Sequence, residues 1–209
     1  MTGGATPSTL LIATRSPGKL RELRPLLARE GYVAVDLQEV GVTPSDREDA
    51  IEAFDTFEAN ALAKAKYFHS QTGMPTIADD SGLSVDALGG APGVRSKRWS
   101  GRTDLTGQRL DDANNARLLE SMRDFTDRRA RFVCAAAYVD AEREVVVRGE
   151  TLGEIMPAAR GDQGFGYDPY FFSADLGRGF GESGTEEKEA VSHRGRAMRA
   201  LLAAMRAGR

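Results

Sequence analysis

A chain of 209 residues, 41% of them hydrophobic, has ample length to bury a core and fits one domain or two lobes sharing it. With 31 acidic and 28 basic residues, a net charge of -3 and a pI near 5.6, it carries no electrostatic footprint for duplex nucleic acid or an anionic membrane. An anionic ligand would therefore need a local basic pocket.

The chain starts with small polar residues, "MTGGATPST", lacking the basic and apolar regions of a leader. Residues 1–8 are expected to be a disordered tail, 9–207 a single domain, and the protein cytoplasmic. The apolar run "TLLIAT" at 9–14 predicts a buried strand, and Ser16-Pro17 supplies an N-cap followed by proline at the first helical position. Leu20, Leu23 and Leu27 share one face of that helix, Gly31 ends it, and Pro25 predicts a kink or a split. A strand at 32–37 and a polar, acidic loop at 38–50 follow. Phe54, Phe57, Ala61, Ala65 and Phe68 recur at helical spacing until Gly73-Met74-Pro75 stops them. The next apolar run carries Asp79 and Asp80. Residues 104–123 predict a helix with Leu110, Leu118, Leu119 and Met122 inward. The β-rich runs 130–139 and 144–150 predict a hairpin around Asp140–Arg143, with the lone cysteine, Cys134, as a buried reduced thiol in its first strand. Nine glycines and prolines in 157–184 predict a structured loop. Met198, Leu201, Leu202 and Met205 predict a final helix over 193–207, capped by Ser192.

Two segments carry chemistry. In "ATRSPGK", residues 13–19, a strand leads into a helix whose free N–H groups and positive dipole end are joined by Thr14, Ser16 and Lys19. That suits phosphate, although the Walker spacing is absent and an ordinary capped turn has the same ingredients. In "IADDSGLS", adjacent acids permit two readings: a turn whose carboxylates cap backbone N–H groups, or a Mg²⁺ site in which the cation relieves their repulsion.

Six motifs in order, "ATRSPGKLREL", "TFEANALAKA", "IADDSGLSVDALGGAPGVRSKRWSG", "RARFVCAAAYV", "GFGYDPYFF" and "EEKEAVSHRGRAM", resemble the inosine/xanthosine triphosphate (dITP/XTP) pyrophosphatases from Leu11 to Leu202. The resemblance implies an α/β fold, a twisted mixed β-sheet flanked by helices, with the active-site cleft between two lobes. It implies Mg²⁺-dependent hydrolysis of ITP, dITP and XTP between the α and β phosphates, in a homodimer, with no nucleic-acid or membrane partner. Carried onto this chain, it implies that Thr14, Arg15, Ser16, Pro17, Gly18 and Lys19 hold the triphosphate. Asp80 is implied as metal ligand and proton acceptor, Glu52 and Asp79 as further metal ligands, and Ser81 as a substrate contact. Phe165, Gly166, Tyr167, Asp168, Lys188, His193 and Arg194 are implied around the nucleoside, with Asn60 and Lys64 in the helix motif. Ser16, Ala59 and Phe54 depart from the family pattern, leaving Glu48 and Asp55 as alternatives to Glu52. A donor on His193 or Arg194 facing C2 of the base would discriminate against GTP. The alternatives are a pyrophosphatase of the same architecture preferring other modified nucleotides, such as methylated pyrimidines, and a nucleotide sensor without catalysis, which the retained acids disfavour.

Overall fold

The computed structural model describes residues 8–45, 47–51 and 53–207, apart from the side chains at 49 and 50. The expected tail at 1–7 and Glu52 lie outside the described residues. The strands are β1 (Thr9–Ile12), β2 (Val33–Asp36), β3 (Thr76–Val85), β4 (Arg129–Val139), β5 (Glu144–Ile155), β6 (Phe171–Ser173) and β7 (Arg178–Gly179). They form one sheet in the order β2-β1-β3-β4-β5-β6-β7. β1 is parallel to both its neighbours, and every other pair is antiparallel. The helices are α1 (Pro17–Arg29), α2 (Arg47–Ile51), α3 (Phe57–Thr72), α4 (Gly107–Ser121), α5 (Thr185–Val191) and α6 (His193–Ala207). This is the mixed, helix-flanked α/β sheet expected from the sequence.

Three apolar clusters pack against the sheet. On one face Leu23, Leu26 and Leu27 of α1 and Met198, Leu201, Leu202 and Met205 of α6 cover Ile12, Ile77 and Ala136. On the other, Phe57, Ala61, Ala65 and Phe68 of α3 cover Leu11, Ala78 and Ala135. The third gathers Leu83, Val85, Ala130, Phe132 and Ile155 at the far end of β3, β4 and β5, with Leu118, Phe171 and Phe180. Residues 79–81 fall where the first two cores give way to the third.

Several local expectations change. β3 does not turn at Ser81-Gly82: ten register pairs, from Thr76–Val139 to Val85–Ala130, carry it straight through the acids. The turn reading of "DDSG" is thereby overruled by pairing with β4. Phe54 is half exposed at 50% and precedes α3, because Thr56 caps that helix by accepting from the Ala59 N–H. Within 38–50, the expected loop ends in α2. α1 runs unbroken through Pro25, which is exposed, while Leu23, Leu26 and Leu27 beside it are buried and pin the helix to the sheet. The Gly/Pro-rich 157–184 segment holds β6 and β7 and two short 3₁₀ turns, Asp168–Tyr170 and Phe180–Glu182.

Candidate active site

β1 pairs with β3 only at Leu11–Thr76 and Ile12–Ile77, after which the chain turns away into the loop before α1. Beyond Ile77 no strand covers that edge of β3 until the Ser84–Pro92 bridge, and the ammonium groups of Lys19 and Lys64 both reach the Asp79 carbonyl there, each at 3.1 Å. A crevice beyond the carboxyl end of a parallel strand is where open α/β sheets take ligands.

The 13–19 loop is held by its own hydroxyls. Thr14 Oγ1 accepts from the Ser16 N–H at 3.2 Å, and Ser16 caps α1 by accepting from the Lys19 N–H. Pro17 occupies the first turn, where its missing N–H costs nothing. Arg15 points elsewhere: its guanidinium grips both Glu48 oxygens at 2.8 and 3.0 Å and the Val42 carbonyl at 2.9 Å. Gly18 lies flat under the Phe165 ring, which would stand 2.6 Å from a Cβ placed on it.

Strand alternation sends the two acids to opposite sides of β3. Asp80 faces α3, where Asn60 Nδ2 donates to its Oδ2 at 3.0 Å and the Ser81 N–H to its Oδ1 at 3.1 Å. Asn60 also brackets both backbone atoms of Phe54, so one side chain orients the acid and anchors the start of α3. Asp79 faces α1 and α6, where Lys19 lies 3.1 Å and Arg194 Nε 3.0 Å from its Oδ2. Burial alone would push the Asp79 carboxyl up, but Lys19, Arg194 and Lys64 hold it well below the usual carboxylate range.

The expectation that Asp79 joins Asp80 around one metal ion is therefore corrected: Asp79 already neutralises fixed cations, across the strand from Asp80. Asp80 is an oriented carboxylate only 9% exposed, the class of hard oxygen donor that divalent cations prefer. Among the described residues no group of three or more His, Cys, Asp or Glu is placed to hold a metal. Glu48 is committed to Arg15, Asp55 is exposed, and Glu52 lies outside the described residues.

Behind Asp79 the charges alternate through the interior. Arg194, with 4% of its side chain exposed, spends all three nitrogens: Nε on Asp79, Nη1 on Glu22, Nη2 on Ser81 Oγ at 2.7 Å. Lys188 donates to Glu22 at 2.7 Å and to Asp168 at 2.6 Å. Burial opposes the charge on Arg194, but Asp79 and Glu22 raise its pKa above the ordinary value. A guanidinium held this way orders the site and is not a loose donor waiting for a base. Glu22, which links Lys188 to Arg194, is the residue that sequence reasoning missed; on the face of α1 it reads as an ordinary helix acid.

The 165–168 loop closes over this row of charges. Phe165 packs against Gly18, with Lys188 Nζ 5.1 Å and the Arg194 guanidinium 5.6 Å from its ring centre, so it has more neighbours than a glycine-rich loop suggests. Asp168 accepts from the Phe165 N–H at 2.8 Å. Tyr167 is buried, its hydroxyl donating to the Ser96 carbonyl at 2.7 Å, which makes it an anchor of the loop. His193 stacks on Phe132, with ring centres 4.6 Å apart and planes 10° from parallel. Burial, with Arg194 and Lys188 nearby, drives its pKa well down, so it is neutral at pH 7. Cys134 is buried beside Asp79 and burial pushes its thiol up, so it stays protonated.

Fold and site together define an α/β enzyme acting on a polyanionic substrate: a capped helix N-terminus, two lysines and an oriented carboxylate converge at the open edge of β3. Comparison with known proteins agrees. Residues 10–204 match the model of the Ham1 family, and the chain belongs to that family. It is 49% identical over 202 residues to a dITP/XTP pyrophosphatase of Mycolicibacterium paratuberculosis, covering 95% of this chain and 96% of that one. Among solved structures, a HAM1 protein from Coxiella burnetii superposes with a TM-score of 0.80 at 33% identity, covering 95% of this chain and 98% of that one. A nucleoside-triphosphatase / dITP/XTP pyrophosphatase from Mycobacterium abscessus has a TM-score of 0.69 at 45% identity, covering 93% and 98%.

Proposed function

We propose that this chain hydrolyses the deaminated purine nucleoside triphosphates ITP, dITP and XTP to the monophosphate and pyrophosphate, with Mg²⁺, and so clears damaged nucleotides from the precursor pool. The observation that carries the reading is Asp80, oriented by Asn60 and Ser81 at the edge where Lys19 and Lys64 converge. Asp80 takes the proton of the attacking water. The N-terminus of α1 and the Lys19 ammonium bind the triphosphate and stabilise the charge that builds on the pyrophosphate leaving group. Asp80, with an upstream acid such as Glu52, would hold Mg²⁺, which when bound neutralises phosphate oxygens and acidifies water.

The base lies against Phe165 and Gly166, in a pocket that Tyr167 anchors and that Asp168, Lys188, His193 and Arg194 order from behind the ring. Hypoxanthine and xanthine present an O6 acceptor and an N1–H donor; adenine reverses both, so a site built for the keto edge leaves groups unpaired against ATP. No helix among the described residues is long and apolar enough to cross a membrane. The reading includes a cytoplasmic homodimer.

The test is a panel of ITP, dITP, XTP, GTP and ATP, with and without Mg²⁺, assaying pyrophosphate and orthophosphate separately. Pyrophosphate released from the three deaminated substrates, and only with the metal, is the expected result. Orthophosphate as the first product, or equal turnover of ATP, refutes it.

A further inference from the structure

None of the six sequence motifs falls on α4, yet this helix grips the base-side loop. Its inward face was expected to be leucine, and Leu118 is indeed buried, but Asn114 and Asn115 are also buried, at 3% and 4% exposure. Asn114 ties α4 to the 97–100 segment: its Oδ1 accepts from the Ser100 N–H at 2.8 Å and its Nδ2 donates to the Lys97 carbonyl at 3.1 Å. Asn115 and Asp111, one helical turn apart on the same face, reach the other way. Asn115 Nδ2 donates to the Gly166 carbonyl at 2.9 Å, and Asp111 Oδ2 accepts from the Gly166 N–H at 2.9 Å.

Both main-chain polar atoms of one residue are thus held from α4, and that residue is in the left-handed region, with φ +63°. Fixing the two peptide planes that meet at a left-handed glycine sets the direction of the chain on either side. On one side the Phe165 ring is laid on Gly18; on the other Tyr167 is sent down to Ser96. Burying an asparagine amide costs stability unless its hydrogen bonds are made; Asn115 Nδ2 is satisfied by the Gly166 carbonyl, while its Oδ1 is buried without a partner among the described residues. Nothing on α4 approaches the phosphate loop or Asp80 through a hydrogen bond in the described residues.

We propose that Asp111 and Asn115 are positioning residues for the nucleobase: they hold Gly166 so that Phe165 presents its face to a planar purine, and they act on base affinity without acting on phosphate chemistry. This rests on the function proposed above. A tie that served only stability would weaken every ligand alike, and the two cases separate experimentally.

The experiment measures kcat and KM for ITP, and inhibition by inorganic tripolyphosphate, which carries the charge but no base. It uses wild type, Asp111→Ala, Asp111→Asn and Asn115→Ala, each also combined with Phe165→Ala. Loss of one clamp bond is expected to raise KM for ITP by roughly five- to tenfold, the scale of one hydrogen bond. kcat and the tripolyphosphate inhibition constant should stay within about twofold. Asp111→Asn keeps an acceptor oxygen and should restore most of the affinity. In the Phe165→Ala background the effect of Asp111→Ala should vanish, because the clamp acts through that ring. Equal weakening of ITP and tripolyphosphate, an unchanged KM, or a full effect without the Phe165 ring would each overturn the inference. If Asp111→Ala does not fold, Asn115→Ala decides by the same criteria. If wild type releases no pyrophosphate from ITP, the functional reading itself fails and takes this inference with it; if wild type does, a negative result counts against the clamp alone.

Discussion

Glu22 offers the sharpest test of the buried charge row. It accepts from Lys188 and from Arg194, with 13% of its side chain exposed. Burial would raise its pKa, but Arg194 and Lys188 bring it from 4.5 to about 2. A depressed carboxyl contributes stability that is complete above its unfolded pKa and lost as pH falls through the folded one. Here that window runs from about pH 4.5 down to about 2. A shift of roughly 2.5 units at 1.36 kcal/mol each corresponds to about 3 kcal/mol at neutral pH. Glu22→Gln keeps the shape and removes the charge, so it should be about 3 kcal/mol less stable at pH 7. For a chain of this size that lowers Tm by roughly 6–12 °C. At pH 3 the unfolded carboxyl is already protonated while the folded one is not, so the gap should shrink to about 1 kcal/mol. Guanidinium titrations of both proteins at pH 7, 5, 4 and 3 measure it. Equal stability at pH 7, or a gap that does not change with pH, would mean that Glu22 is not held ionised by Lys188 and Arg194.

Three further outcomes follow from the same geometry. Asp80→Asn keeps the hydrogen bond to Asn60 within reach but cannot take a proton, so kcat for ITP should fall at least ~10²-fold with nucleotide still bound, and near-normal turnover would remove Asp80 from the mechanism. Lys19→Ala should weaken tripolyphosphate by roughly 1.5–3 kcal/mol and inosine hardly at all, read from inhibition constants; equal losses would place the ammonium away from the phosphates. Arg194→Ala leaves Asp79 and Glu22 buried without a shared cation, and should cost about 3–5 kcal/mol in denaturation, with part recovered when Asp79→Asn is added. A variant as stable as wild type would show that the guanidinium is not structural.

Much of this protein is written locally. Ser16, Pro17 and the apolar run before them specify the strand, loop and helix proposed to bind phosphate, because a cap, a fixed φ and a short buried strand act within a few residues. The stripe on α6 and the turn at Asp140–Arg143 are legible for the same reason, and the order of motifs identified the family. Local rules failed where distant partners outweighed them. "DDSG" has the chemistry of a turn, yet pairing with β4 on one side of the strand, and cations on each face, keep it extended. Pro25 should break α1 and does not, because its neighbours are buried on the sheet. Which acid faces which cation was decided only by the tertiary structure. Lys188 meets Glu22 across 166 positions of sequence, and Arg194 meets Asp79 across 115. Glu22, Asn115 and Asp111 look like ordinary helix residues until the sheet brings α1, α4 and α6 around one loop, since a long-range ion pair or clamp has no short-range pattern to announce it.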